Sequence, residues 1–273
     1  MASFLSPTTL NPMSPRRLRA GFMLALVASL FAGCATLGGA NYYSVDQEWE
    51  AGRQLEAQLR QELPITNDAT LTRYVNEMGQ RMVRQTSLGN RPWRFYVVRD
   101  EAINAFNVPG GLVYINTGLI AQVGSASELA GAIAHEVAHG AERHGTQRLS
   151  KAQDANLIAG AVLGDSGGLE RLGAQIAAQG AFASFSRSDE READAVGVQI
   201  MARAGYDPDG LADLLERLAS QEQGGGVQFF RSHPLSSERM QTVRQLARRY
   251  DSQGLRSNDG QFASVRRRAA QLR

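Results

Sequence analysis

Cysteine is almost absent from this chain. Cys34 is the only one in 273 residues. No intramolecular disulfide can form, and no thiolate metal site or cysteine nucleophile can exist beyond that point. A lack of thiols suits an oxidising compartment. Histidine is scarce as well. There are four, so any histidine metal site must draw on His135, His139, His144 and His233. A long apolar run is missing too. The stretch Gly21 to Phe31 is about 11 residues, against the roughly 20 that a spanning helix needs. Excess charge is also lacking: setting aside Arg16, Arg17 and Arg19 turns the net charge from +2 to −1. A near-neutral body has no electrostatic reason to bind nucleic acid. The basic run Arg266 to Arg268 reads as part of a solvated C-terminal tail over 251–273.

The N-terminal order is a basic stretch, the apolar run, then Ala32, Gly33 and Cys34. That order fits a secretory signal peptide over 1–33. It resembles a bacterial lipoprotein signal, in which Cys34 is lipidated and a tether over 34–44 follows. Ala35, rather than Asp, resembles lipoproteins sorted to the outer membrane. The expectation is an envelope protein anchored by lipid and facing the periplasm.

Residues 45–63 carry helix formers, ended by Pro64. Asp68 to Thr86 places Leu71, Val75, Met78 and Met82 on one helical face. Trp93 to Val98, Ile103 to Val108 and Leu112 to Asn116 read as strands, the last two divided by the turn signal Pro109-Gly110-Gly111. Ser125 and Glu128 have capping-box spacing, opening a long helix that runs toward Leu149. An Ala- and Gly-rich stretch, 152–185, reads as a helix interrupted at Gly164–Gly168. Further helices are expected over 188–204, from Asp207-Pro208 onward, and over 236–250. The order predicts an α+β fold, mainly helical, with a small sheet.

The chemistry centres on His135-Glu136-Val137-Ala138-His139. Residues four apart share a helix face, so both imidazoles can reach one metal ion. Glu136 can then meet a water on that metal and accept its proton. The neighbours Ala130 to Ala134, Val137 and Ala138 are apolar or small, so the helix is expected to be buried. Buried histidines need partners, and a metal is one.

A catalytic zinc takes three protein ligands and keeps one position open. His144, five residues beyond His139, would lie roughly 140° around a continuing helix. It is read as a surface histidine. Glu190 and Asp194 in Ser188-Asp189-Glu190-Arg191-Glu192-Ala193-Asp194 are the better candidates. One carboxylate can ligate, and the other can accept a ring N–H from a ligand histidine. Glu192 would point roughly 200° from Glu190.

Together these residues resemble the gluzincin metallopeptidases of the HtpX and CAAX prenyl-protein endopeptidase family. Within it they resemble the periplasmic lipoprotein branch that includes BepA and LoiP. Asn104-Ala105-Phe106, Pro109-Gly110-Gly111, Asn116 to Leu119 and Ser232-His233-Pro234 add to the likeness, which covers about residues 45–250. The resemblance implies a zincin-type domain with its sheet bordering the active-site cleft. It implies one zinc held by His135, His139 and Glu190, with Glu136 as base and Asp194 behind a ligand. It also gives His233 a role near the metal, either stabilising an oxyanion or occupying the open position. The strands, with Asn104, Ala105, Phe106, Gly110 and Gly111, are expected to bind extended substrate. The BepA branch carries helical repeats that this chain is too short to hold, so a stand-alone catalytic domain is expected. Without further membrane spans, prenylated substrates are not expected. The function expected is hydrolysis of misfolded or unfolded envelope proteins. The rival is a chaperone or assembly factor that binds in the same cleft.

Overall fold

A computed structural model describes residues 41–158, 184–222 and 227–272, without the side chains of 152–158. The expected signal segment, Cys34 and most of the Ala/Gly-rich stretch therefore lie outside the described residues. Helix α1 (Val45–Glu62) opens on a reciprocal cap: Ser44 Oγ accepts from Gln47 N, and the Gln47 side chain accepts from Ser44 N. Helix α2 (Ala69–Val83) is capped by Asp68, which accepts from the N–H groups of Thr70 and Leu71. Its predicted stripe of Leu71, Val75, Met78 and Met82 is buried.

Three strands follow: β1 (Arg94–Val98), β2 (Ala105–Val108) and β3 (Leu112–Asn116). β3 is central, parallel to β1 and antiparallel to β2. The β2–β3 turn uses Gly110 at φ 89° and Gly111 at φ 73°, a backbone region that glycine enters without penalty. It also lies hard against α1. A Cβ on Gly52 would meet Gly110 Cα at 2.7 Å.

Alternate residues divide the sheet's two faces. Phe95, Val97, Ala105, Val113 and Ile115 join the main core. Tyr96, Val98, Phe106 and Tyr114 join a second cluster with Leu55 and Leu59 of α1 and with Phe185.

The remaining helices among the described residues are α3 (Thr117–Gln122), α4 (Ala126–Ala141), α5 (His144–Ile158), α6 (Arg187–Arg203), α7 (Asp209–Gln221), α8 (Phe229–Ser232), α9 (Ser237–Ala247) and α10 (Phe262–Gln271). The arrangement is α+β, mainly helical, with a three-stranded sheet, as expected. None of the described helices is long and apolar enough to cross a membrane.

Helix α4 is the centre. Every residue from Ala126 to Ala141 is buried. Its N-terminus is held by Ser125 Oγ, which accepts from Glu128 N. The Glu128 carboxylate reaches back to Gly124 N and not to Ser125. Small residues let neighbours close in: a Cβ on Gly131 would meet Leu211 Cα of α7 at 2.8 Å.

Two expectations are corrected. The long helix toward Leu149 breaks after Ala141. Arg143 is left-handed, at φ 60°, a conformation that costs a non-glycine residue about 1–2 kcal/mol. Its guanidinium holds it there, meeting buried Glu48 at 2.7 Å and the Tyr43 carbonyl. The second correction is the C-terminal tail. Arg266 to Arg268 are exposed, but Phe262, Val265 and Ala269 of α10 enter the core. The segment also finishes capping α4, since Ala126 N donates to Asn258 Oδ1 and Ser127 N to Ser257 O, both at 3.0 Å. The apolar spacing of 262, 265 and 269 was the signal for this helix, masked by the three arginines between them.

Candidate metal centre

Three elements carry the site. α4 presents His135, Glu136 and His139. α6, which starts at a capping box between Ser186 and Asp189, presents Glu190 and Asp194. His233 follows α8. All six are at most 2% exposed.

One ligand atom from each of His135, His139, Glu190 and His233 lies within 4.8 Å of all the others. His135 Nε2 is 3.1 Å from His139 Nε2 and 3.2 Å from His233 Nδ1. Glu190 Oε1 is 3.3 Å from His139 Nε2 and 2.9 Å from His233 Nδ1. Donors roughly 2.0–2.1 Å from a tetrahedral ion lie roughly 3.3 Å from one another. The spacing and the mixed N/O donor set therefore fit zinc.

Behind the donors stands a layer of partners. Asp194 Oδ1 lies 3.0 Å from His135 Nδ1. Arg239, 4% exposed, grips Asp194 at 2.6 and 2.9 Å and meets Glu190 Oε2 at 2.6 Å. Phe185 stacks on His139 with centroids 4.1 Å apart, and Phe229 stacks on His233 at 4.4 Å.

The electrostatics follow from burial and pairing. Burial alone depresses His135, but Asp194 and Glu190 overcome it and hold it at about 9. A metal held there by His135 would displace that proton. Burial takes His139 well below the ordinary histidine range, which favours the neutral ring a metal requires. Burial would raise Glu190, yet His233, His135 and His139 hold it well below the carboxylate range. Asp194, also buried, is lowered by His135 and Arg239. Burial raises Glu136, against the pull of His233 and His135.

The five predicted groups of the HEVAH and Glu190–Asp194 motifs thus converge, and His233 joins them. Asn104, Ala105 and Phe106 lie at or beside β2, an edge strand. Asn107 of that strand faces α4, since a Cβ on Gly140 would meet its amide nitrogen at 2.7 Å. Gly110 and Gly111 pack at the turn, against α1 and the Trp49 and Trp93 rings.

His144 corrects an expectation. It is 1% exposed, with Nδ1 2.9 Å from His139 Nδ1. The reading of it as a surface residue assumed one continuous helix, and the break at Arg143 removes that assumption. Arg239 was missed altogether. Three buried carboxylates on one site call for a cation besides the metal, but nothing in the sequence says which arginine supplies it.

A donor set of this kind suits one zinc ion. Comparison with known proteins places the chain more narrowly. Residues 69–247 match peptidase family M48, and the chain belongs to that family. It is 33% identical over 216 residues to the beta-barrel assembly-enhancing protease of Yersinia pestis, covering 75% of this chain and 44% of that protein. It is 31% identical over 186 residues to the mitochondrial metalloendopeptidase OMA1 of Schizosaccharomyces pombe, covering 66% and 54%. Metalloprotease LoiP of Escherichia coli is 27% identical over 249 residues, covering 84% and 96%. The chain spans less than half the length of the beta-barrel assembly-enhancing protease it matches. Within the family it is similar to the BepA- and LoiP-like branch.

Proposed function

We propose that this enzyme hydrolyses misfolded or unfolded proteins of the bacterial envelope, with Glu136 as general base. The state of Glu136 carries the mechanism. It is fully buried, and the Asn107 backbone donates to its carboxylate. Oε1 is 3.3 Å from His233 Nε2, beside the donor cluster. Burying a carboxyl this completely is costly, so the group is held for a purpose other than packing. Zinc, when bound, lowers the pKa of water to about 7 and polarises the scissile carbonyl. Glu136 takes the proton of the attacking water on a carboxylate oxygen and returns it to the leaving amine. His135, His139 and Glu190 hold the metal, and Asp194 fixes the His135 ring. An extended substrate adds along β2 at Asn104 to Phe106, giving main-chain recognition with weak side-chain preference.

The name of the beta-barrel assembly-enhancing relatives supports envelope proteins as the substrate class. The signal segment and Cys34 support an outer-membrane lipoprotein facing the periplasm. Loss of membrane association in Cys34→Ser tests that location.

A second reading rests on His233. Its Nδ1 stands among the ligand atoms, where water or substrate would have to enter, which supports a gated enzyme closed in this conformation. In its extreme form the protein is a chaperone or assembly factor with a silent zinc site. Cleavage of an unfolded model protein by the full-length chain and by Glu136→Gln decides between them. Cleavage by the wild type alone, with zinc bound in both, is expected. Absence of cleavage in both favours the binding protein.

A further inference from the structure

A metal-binding imidazole has a second ring nitrogen, and the partner of that nitrogen sets the tautomer, orientation and basicity of the ligand. For His135 the partner is the carboxylate of Asp194. For His139 it is another imidazole, His144, whose Nδ1 lies 2.9 Å from His139 Nδ1. His144 directs its other nitrogen to Glu192: Nε2 is 3.4 Å from Oε2. The Glu192 side chain is 58% exposed.

One set of proton positions satisfies every contact. To offer Nε2 to the metal, His139 must carry its hydrogen on Nδ1. His144 Nδ1 must then accept, so its own hydrogen sits on Nε2. That N–H faces a carboxylate, which only accepts.

We propose that His144 is the positioning residue for the metal ligand His139, fixing its tautomer and ring plane through Nδ1, with Glu192 orienting His144 in turn. The proposal rests on His139 being a zinc ligand. It gives one reason for the left-handed Arg143, because the helix break returns His144 to the ring that precedes it. It also accounts for three alternating acids on α6. Glu190 reaches the metal, Asp194 backs His135 directly, and Glu192 backs His139 through His144.

The test is the zinc affinity of the full-length chain, measured by competition with a chromophoric chelator. His144→Leu removes the acceptor, and affinity is expected to fall about 10- to 100-fold. His144→Asn, whose Oδ1 can stand in for Nδ1, is expected to recover most of that loss. Glu192→Ala, at an exposed position, removes the acceptor facing His144 Nε2 and is expected to show a smaller, several-fold loss. Unchanged affinity in His144→Leu overturns the proposal and leaves the metal site standing. Equal losses in the leucine and asparagine variants mark a packing role and also overturn it. Should the leucine variant fail to fold, unchanged affinity in Glu192→Ala overturns the proposal in its place. A wild-type chain that takes up no zinc removes the metal site, and the proposal with it.

Discussion

Arg239 is the cation that balances the carboxylates of α6: it meets Asp194 at 2.6 and 2.9 Å and Glu190 at 2.6 Å, from a position 4% exposed. Removing one partner of a buried ion pair typically costs about 3–5 kcal/mol, because the other charge stays buried and unpaired. Arg239→Met is therefore expected to destabilise the metal-depleted protein by that order. Added zinc brings its own charge to Glu190, so the gap to wild type should narrow when metal is present. Thermal unfolding with chelator and with zinc checks both halves. Equal unfolding temperatures in chelator would show that Arg239 is dispensable.

On the gated reading, His233 occupies the position that water or substrate would take. Replacing it with Ala is expected to raise cleavage of an unfolded protein while zinc remains bound. A loss of kcat by about 100-fold or more would instead match the removal of an oxyanion-stabilising donor. The same assay therefore distinguishes the two roles.

Two glycines beside the site should respond in opposite directions. At Gly131 a methyl would press on Leu211 Cα at 2.8 Å and N at 3.0 Å, both backbone atoms. Gly131→Ala is expected to cost about 1–3 kcal/mol, the usual range for overpacking. At Gly197 the nearest atom is His135 N at 3.5 Å, an ordinary contact. Gly197→Ala within α6 should gain up to about 0.5–1 kcal/mol from helix propensity. Denaturant midpoints on both variants measure the difference.

Asp68 joins the N-terminus of α2 to the C-terminal helix, pairing with Arg268 at 2.7 Å. Backbone donation from Leu71, with Arg268 beside it, lowers its pKa. A lowered carboxylate stabilises the fold above its unfolded pKa, about 3.9. That contribution is lost as pH falls through the lower folded value. Asp68→Ala is expected to cost about 1 kcal/mol at neutral pH, as for other N-caps. The difference from wild type should shrink in acid. A cost that stays constant down to the acid transition would place the effect outside the carboxylate's charge.

The helix starts were readable because their signals are local. Asp68, Ser44 and Ser125 cap through bonds spanning two or three residues. The apolar stripe of α2 follows helix geometry alone. The motif residues were readable for the same reason, since His135 and His139 share a face wherever the helix lies.

His144, Arg239 and α10 were not readable, because each depends on partners far away in the chain. His144 turns inward because Arg143 adopts a left-handed backbone, and Glu48, 95 residues earlier, holds it there. Arg239 becomes a buried charge only when Asp194, 45 residues earlier, comes beside it. The sequence by itself determined the local helices, the β-turn and the identity of the chemistry-bearing groups, all set by backbone sterics and residue periodicity. Only the tertiary structure decided which buried charges neutralise one another, because desolvation is resolved by whichever partners the folded chain brings within reach.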